Sequence, residues 1–502
     1  MPSKSTSDFK YSALFRVQKQ PGKTLRDALY AEVIRLIGMG HFRPGQSMPS
    51  SRVLATELQL SRNTVSAAYQ DLVLDGVLVA HERSGFRVSD AVDRPVQDAV
   101  ASVQSTGDTA RPHPFRNQFS DAFPGSVVHL PRIYKDPRWR DCRYKFIFGQ
   151  ADISTFPAAH WRQIDRDTNS LAAIEHWTRE SYDEDDPNLI EALCDKVLPR
   201  RGIWVRPDQV LITSGTQNAL YLISRLLVTP GAIAALEDPG YVDVGSILRM
   251  AGAHLAFVPV DEQGMMVHKM PPRAQIAYCT PSSQFPTTAT MSIDRRNALL
   301  DYVAARACFV IEDDYESELP FNAQSQPALR GMTEDEHVIY LSSFSKSLAP
   351  GLRIGYIVAA PRIIRELRAL RRLILRTPSQ NNQAALGAFV QNGFYEVHMQ
   401  KLRAIYAERY AVLTEALARH APDLVFSPVS GGSSVWIELP EGVSADRLQR
   451  ALLEKSVFIE NGDVFYAETT SGSRIKLSYS SIVTADIPEG IRRLAKALDE
   501  ID

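Results

Sequence analysis

Apolar residues recur at Leu25, Leu29, Val33, Leu36 and Ile37, three and four apart, and predict an amphipathic helix. Pro49-Ser50-Ser51 can cap a shorter helix that runs to Leu58. Gln59-Leu60-Ser61 then reads as a turn, with Ser61 capping a third helix over Arg62–Leu74. That helix sets Val65, Ala68 and Leu72 on one side and Arg62, Asn63, Thr64, Ser66 and Tyr69 elsewhere. The run GVLVAHERSGFRVS alternates around Arg83-Ser84-Gly85, as a short hairpin does. Residues 1–89 are expected to form one small domain.

Periodicity is lost over residues 90–118, where Pro, Ser, Asp and small residues dominate, so this stretch is expected to be a flexible linker. From about Phe119 onward, short apolar runs alternate with helical patterns. Strands are expected at Gln209–Thr213, Ala232–Leu236, His254–Pro259, Gln275–Cys279, Ala307–Ile311, Val338–Leu341 and Ile354–Ala359, with a helix at Asn218–Val228. Such alternation predicts an α/β domain, a mainly parallel sheet with helices on both faces, over residues 119–502. From about Arg372 the pattern changes to long helices with a few strands, as in a second subdomain.

Composition adds bounds. A chain of 502 residues exceeds what one hydrophobic core serves, which agrees with two domains. The net charge of −2 is uneven: residues 1–90 hold 12 Lys and Arg against 8 Asp and Glu. A cationic head on an acidic body fits nucleic-acid binding by the head alone. Cys142, Cys194, Cys279 and Cys308 are scattered and form no CxxC pair, so neither a zinc ribbon, a disulfide framework nor any other metal site is expected. No apolar stretch resembles a signal peptide or reaches the length of a membrane span, so a cytoplasmic location is expected.

Short polar and cationic side chains at a helix start suit a DNA major groove, where they reach base edges and phosphates. Candidate DNA contacts are Ser51 and Arg52 on the second helix, then Ser61, Arg62, Asn63, Thr64, Ser66 and Tyr69 on the third. Arg83 and Gly85 join them at the hairpin. The same spacing also serves three-helix bundles that bind proteins.

Four motifs in the large domain carry chemistry. Ser214-Gly215-Thr216-Gln217 lies between a strand and a helix, where free N–H groups cradle a phosphate. FVIEDDYESE puts acids at the carboxyl end of a strand, where ligands bind in open α/β sheets. A carboxylate there can pair with a protonated pyridine nitrogen, and Tyr315 can hydrogen-bond a phenolic oxygen. YLSSFSKSLAPGLRIGY places Lys346 just past a strand, with Ser343, Ser345 and Arg353 beside it as a phosphate cup. EDPGY offers Tyr241 to stack on a ring.

The run RPGQSMPSSRVLATELQLSRNTVSAAYQDLVLDGVL with its RSGFRV wing resembles the GntR family of winged helix-turn-helix regulators. The order SGTQ, EDPGY, EDDY, SFSKxxxPGxRxG resembles fold type I aminotransferases over roughly residues 119–502. Together the chain resembles the MocR-type subfamily of GntR regulators. The resemblance implies a seven-stranded, mainly parallel sheet, a smaller C-terminal α+β subdomain, a homodimer and the cofactor pyridoxal 5′-phosphate. It makes Lys346 the aldimine lysine, Tyr315 the phenolate partner and Asp313 the pyridine partner, although the adjacent Asp314 leaves the register open.

The sequence departs from that pattern in several places. Relatives often read S-H-Q-x-P-T-G where this chain reads Ser282-Ser283-Gln284-Phe285-Pro286-Thr287-Thr288, so Gln284 is a candidate for the missing contact. The segment Tyr182-Asp183-Glu184-Asp185-Asp186-Pro187 lacks the usual Gly after Tyr. A typical Arg-Leu-x-Phe, whose Arg grips the substrate carboxylate in aminotransferases, appears as Lys476-Leu477-Ser478-Tyr479, with Arg474 two residues earlier. Lys476 and Arg474 are therefore the candidate ligand anchors. The expected function is a regulator that binds an operator and senses a small amine by external aldimine formation, an ectoine-derived diaminobutyrate-type amine being the guess. The alternatives are a working aminotransferase carrying a DNA-binding domain, and a binding protein that has lost its cofactor.

Overall fold

The computed structural model of the chain describes residues 11, 14–17, 24–81, 85–90, 127, 130–150, 152–179, 181, 183–316, 318–321, 326–468 and 472–501. Beyond Asp90, the expected linker lies outside the described residues, as do Arg83 and Tyr182. The chain divides into two units, Met1–Pro124 and Gly125–Asp502.

In the first unit, α1 (Leu25–Gly38), α2 (Ser51–Leu58) and α3 (Arg62–Leu74) precede an antiparallel hairpin of β1 (Leu78–His81) and β2 (Gly85–Val88). Thr24 and Asp27 form a reciprocal cap at the start of α1. Ser50 and Ser61 cap α2 and α3 by accepting from Val53 N at 3.2 Å and Thr64 N at 3.0 Å. The α1 stripe Leu29, Val33 and Leu36 packs with Leu54 of α2 and with Val65, Ala68, Tyr69 and Leu72 of α3. Leu78 and Val88 close this core from the hairpin. Tyr69 thus belongs to the same buried stripe as Val65 and Leu72.

The second unit is built on one large sheet. Its strands are β4 (Val210–Thr213), β5 (Ile233–Asp238), β6 (His254–Asp261), β7 (Gly264–Met265), β8 (Ile276–Cys279), β9 (Phe309–Asp313), β10 (Val338–Ser343) and β11 (Gly355–Val358). They lie in the order β4-β11-β10-β9-β8-β5-β6-β7. Strands β10, β9, β8, β5 and β6 pair in parallel, whereas β11 runs antiparallel to both β4 and β10. The eighth strand, two residues turning back on β6, extends the seven expected and is too short to leave an alternating pattern. The central strands are buried along nearly their whole length, as expected for a sheet covered on both faces.

A smaller antiparallel sheet combines β12 (Val425–Phe426), β13 (Ser434–Glu438), β16 (Arg474–Ser478) and β15 (Glu460–Asn461). Near the start of this unit, β3 (Tyr144–Lys145) pairs in parallel with β14 (Val457–Phe458), close to the chain's other end. That pairing delivers residues 146–150 to the carboxyl ends of the large sheet's strands. Among the described residues, no helix is long and apolar enough to cross a membrane.

Candidate functional site

The start of α3 presents Arg62 and Asn63 to solvent, with Thr64 and Ser66 partly exposed. Arg52 on α2 is exposed, Ser51 is partly so, and Gly85 opens β2 with φ of 86°. Ser61 is exposed, but its hydroxyl is occupied by the cap. Tyr69 departs from expectation. It is fully buried, donates its hydroxyl to Pro49 O at 3.1 Å and meets Phe86 edge-on at 5.0 Å. Position 69 follows Val65 by four residues, which turns the ring into the core and away from any DNA. Tyr69 braces the helix against the hairpin.

In the second unit the motifs converge on one cavity of about 300 Å³. The helix α4 (Thr216–Leu227) starts at its edge and has no side-chain cap. Thr216, Gln217, Ser343, Ser345 and Arg353 line that end. Arg353 sits in the left-handed region, φ 53°, and its guanidinium donates to Ser214 O at 2.9 Å. A Cβ on Gly215 would lie 3.1 Å from Arg353 Nη2, so glycine permits this approach. Ser214 and Gly215 shape the turn without lining the cavity.

Asp313, the last residue of β9, lines the opposite wall. One oxygen accepts from the Tyr278 hydroxyl at 2.9 Å, and the other has no partner among the described residues. Burial raises the Asp313 carboxyl to about 7. Asp314 faces away from that wall. It accepts from Arg201 Nε at 2.8 Å and from the Tyr340 hydroxyl at 2.9 Å. Successive side chains at a strand end point to opposite faces, so only one of the two acids can serve the cavity.

Lys346 lines the cavity with its ammonium 3.8 Å from the centroid of Phe148. Burial lowers it to about 8, opposed mainly by Glu316. Tyr315 lines the cavity too, its ring edge-on to Phe148 at 6.0 Å. Tyr241 is held by Gln217 and by Asp243, to which its hydroxyl donates at 3.2 Å.

Two candidates are placed elsewhere. Gln284 is buried but does not line the cavity. Its amide braces the loop by donating to Pro239 O at 2.8 Å and accepting from Thr287 N at 3.0 Å. Its neighbour Phe285 takes the place on the wall. Arg474 does not reach the cavity either, because its guanidinium pairs with Glu438 at 3.1 Å and lies over Tyr466. Lys476 does not line the cavity itself: it is fully buried, with its ammonium 3.6 Å and 4.1 Å from the centroids of the wall residues Phe148 and Phe285 and no hydrogen-bond partner among the described residues. Burial lowers it to about 7.

Residues 25–88 match the family model for bacterial regulatory proteins of the gntR family, and residues 146–494 match that for aminotransferase class I and II. The HTH-type transcriptional regulator TauR of Rhodobacter capsulatus is 38% identical over 95% of this chain and 96% of its own length. The probable rhizopine catabolism regulatory protein MocR of Rhizobium meliloti is 29% identical over 95% and 93%. The chain belongs to the MocR-type subfamily of GntR transcriptional regulators. Among solved structures, the α-aminoadipate aminotransferase LysN of Thermus thermophilus, complexed with N-(5′-phosphopyridoxyl)-L-leucine, is similar to the body of this regulator. That match has a TM-score of 0.66 and 30% identity, and covers 74% of this chain and 96% of LysN.

The MocR-type regulator therefore joins a DNA-binding head to an aminotransferase-like body. Where the sequence departs from the aminotransferase pattern, the structure shows what fills the gap. Ser283, at the position where relatives often carry His, opposes the rise that burial causes in the pKa of the Tyr315 hydroxyl. Thr288 keeps a left-handed backbone, φ 66°, where relatives carry Gly. Such a conformation costs a β-branched residue on the order of 1–3 kcal/mol. The regulator also holds wall residues that no motif announced: Phe148 and Gly149 after β3, Tyr278 on β8, Glu460 on β15 and Lys135. A Cβ at Gly149 would lie 2.7 Å from Lys346 Nζ.

Proposed function

We propose that the body of this regulator holds pyridoxal 5′-phosphate on Lys346 and uses it to sense a primary amine, which changes how the heads of a homodimer engage operator DNA. The observation that carries this reading is the convergence on one cavity of a free Asp313 oxygen, the uncapped start of α4 and the partly buried Lys346. These are the partners that a pyridinium N–H, a phosphate and an aldehyde carbon require. When bound, the cofactor supplies an aldehyde carbon that an amine can engage in place of the lysine.

Asp313 would hold the pyridine nitrogen, Tyr315 the phenolic oxygen, and Thr216, Gln217, Ser343, Ser345 and Arg353 the phosphate. Tyr241 would lie along the ring. Lys346, lowered to about 8 by burial, readily gives up its proton at Nζ. Lys476 does not line the cavity, but its ammonium rests on the Phe148 and Phe285 rings that do, and a shift of those rings would let it hold an acid group on the effector. An ammonium is a point charge rather than a flat bidentate fork, so the grip is looser than an arginine gives. Repeated transamination demands close positioning, where a shift of about 1 Å can cost about a hundredfold. Lys476 and Ser283 therefore favour sensing over turnover.

The amines to test first are 2,4-diaminobutyrate, of the ectoine-derived type, then taurine and 4-aminobutyrate. Each is titrated against the visible absorption of the full-length protein. Lys476→Ala is expected to weaken binding of such acid-bearing amines on the order of 10- to 100-fold, the loss of one buried charge-assisted contact. Arg474→Ala should leave it unchanged, because Arg474 is engaged with Glu438. The preference for an amine with an acid group over propylamine should shrink as pH rises past about 7, where Lys476, among Glu316, Glu460, Lys346 and Lys135, loses its proton. Equal binding by wild type and Lys476→Ala removes Lys476 from the site. The absence of any amine-dependent visible change refutes the sensing role.

The head's part is tested separately. Arg62→Ala is expected to weaken operator binding and to reduce the salt slope by about one unit, as loss of a phosphate contact does. Tyr69→Phe should leave operator affinity nearly unchanged, because the ring is buried.

A further inference from the structure

The main chain of Phe148 is held on both sides. Its N–H donates to Glu460 Oε2 at 3.1 Å, and its carbonyl accepts from Lys135 Nζ at 2.5 Å. Lys135 and Glu460 pair with each other at 2.9 Å, their side chains 28% and 7% exposed. The Phe148 ring carries the ammonium groups of Lys346 and Lys476. A molecule that enters the cavity beside Lys346 therefore meets this ring, and a shift of the ring is felt where Lys135 and Glu460 hold its backbone.

Lys135 belongs to residues 130–136, the first continuous described stretch of the body after the connection from the head. This stretch is built into the cavity wall. Ile133 and Lys135 both line it, and Pro131 O accepts from Ser246 Oγ at 3.1 Å. Electrostatics strengthen the link. Glu460 on β15 stands directly across from Lys476 on β16. An anionic group arriving at Lys476 faces Glu460 as a like charge, and Lys135 is the cation that Glu460 holds.

We propose that Lys135 is a positioning residue which, through Phe148 and Glu460, couples occupancy of the cavity to the chain segment that leads to the head. The proposal rests on the reading of this cavity as the effector site. The effector acts by its different interaction with the paired and the loosened clamp, which is what a ligand needs in order to shift an equilibrium.

The test uses the full-length protein and an operator fragment that it selects from random duplexes. The probe is whichever of 2,4-diaminobutyrate, taurine and 4-aminobutyrate moves the visible band of the wild type most. Operator affinity is measured without the probe and with enough probe to saturate each protein's visible band. The wild-type ratio is expected to be about tenfold, within the usual range of coupling between two sites. Lys135→Met and Glu460→Gln should reduce it to less than about twofold, and Lys135→Arg should restore most of it. Reciprocally, operator DNA should shift the probe's midpoint in wild type and in Lys135→Arg but not in Lys135→Met. A purely structural role would lower the melting temperature and leave the ratio intact. Wild-type ratios in both Lys135→Met and Glu460→Gln overturn the proposal, and Glu460→Gln alone decides if Lys135→Met does not fold. A visible response in wild type with no change in operator affinity also overturns it, while leaving the amine site standing. No visible response at all removes the effector reading itself, and this proposal with it.

Discussion

Lys346→Ala is expected to abolish covalent capture of the cofactor completely, while the wild type gives one borohydride-fixed label per chain, on the peptide that contains Lys346. The size of this effect follows from the chemistry: without an amine in reach of the aldehyde carbon no carbon–nitrogen link forms for reduction to fix, and the free aldehyde is reduced to an alcohol that stays unattached. The competitor is Lys476, which is fully buried and also on the Phe148 ring. Burial leaves both lysines with weakened hold on their protons, at about 8 and about 7. Position separates them. Lys346 lines the cavity beside Ser343, Ser345 and Arg353, the residues suited to a phosphate, whereas Lys476 lies behind Phe148 and Phe285. Peptide mapping after reduction checks this, and a label on Lys476 or any other lysine contradicts the assignment.

The second large effect is a contrast between neighbours. Asp314→Asn leaves Arg201, a buried guanidinium, without its carboxylate. Breaking one side of a buried ion pair destabilises by about 3–5 kcal/mol, because a charge is left inside without its counter-charge. A clear fall in the unfolding midpoint is expected. Asp313→Asn should show no such fall. Its carboxylate is buried with one oxygen free and its carboxyl raised to about 7, so the amide removes an unfavourable charge and keeps an acceptor for Tyr278. Stability without cofactor should change by less than about 1 kcal/mol, while cofactor affinity falls on the order of 10- to 100-fold with the lost charge-assisted bond. Thermal unfolding and cofactor titration of the two variants check both halves. Equal loss of stability in both, or unchanged cofactor affinity in Asp313→Asn, contradicts the division of labour.

These two acids also mark the limit of what the sequence reveals. The motif FVIEDDYESE announced an acidic strand end, yet only strand geometry separates Asp313, with its free oxygen, from Asp314, bound to Arg201 more than a hundred residues away. Lys346, Ser343, Ser345 and Arg353 were legible because they lie within one stretch of eleven residues, from the end of β10 to just before β11. Tyr69 was misread because a polar-tipped ring in the middle of α3 suits a groove and a core equally. Its spacing from Val65 and Leu72 was the signal that decided for the core. Gln284 was misread because the side chain that faces the cavity is its neighbour Phe285. Phe148, Lys135 and Glu460 left no local pattern at all. They come from three separate stretches, brought together by the pairing of β3 with β14 and of β15 with β16. Nearly all the large sheet's strand positions were legible because its buried central strands are short, continuous apolar runs, whereas the smaller sheet was foreseen only as a few strands beyond about Arg372. The two-residue β7 was not, being shorter than any period.

The central claim is that the body senses an amine and reports it to the head. The most direct measurement follows one sample of full-length protein, loaded with cofactor, for two outputs as the responding amine is added: operator affinity and keto product. The account predicts that operator affinity changes by about tenfold as the visible band saturates, with less than one equivalent of product per site over the same period. Multiple-turnover product formation with operator affinity unchanged would contradict it and make the protein an aminotransferase with a DNA-binding head.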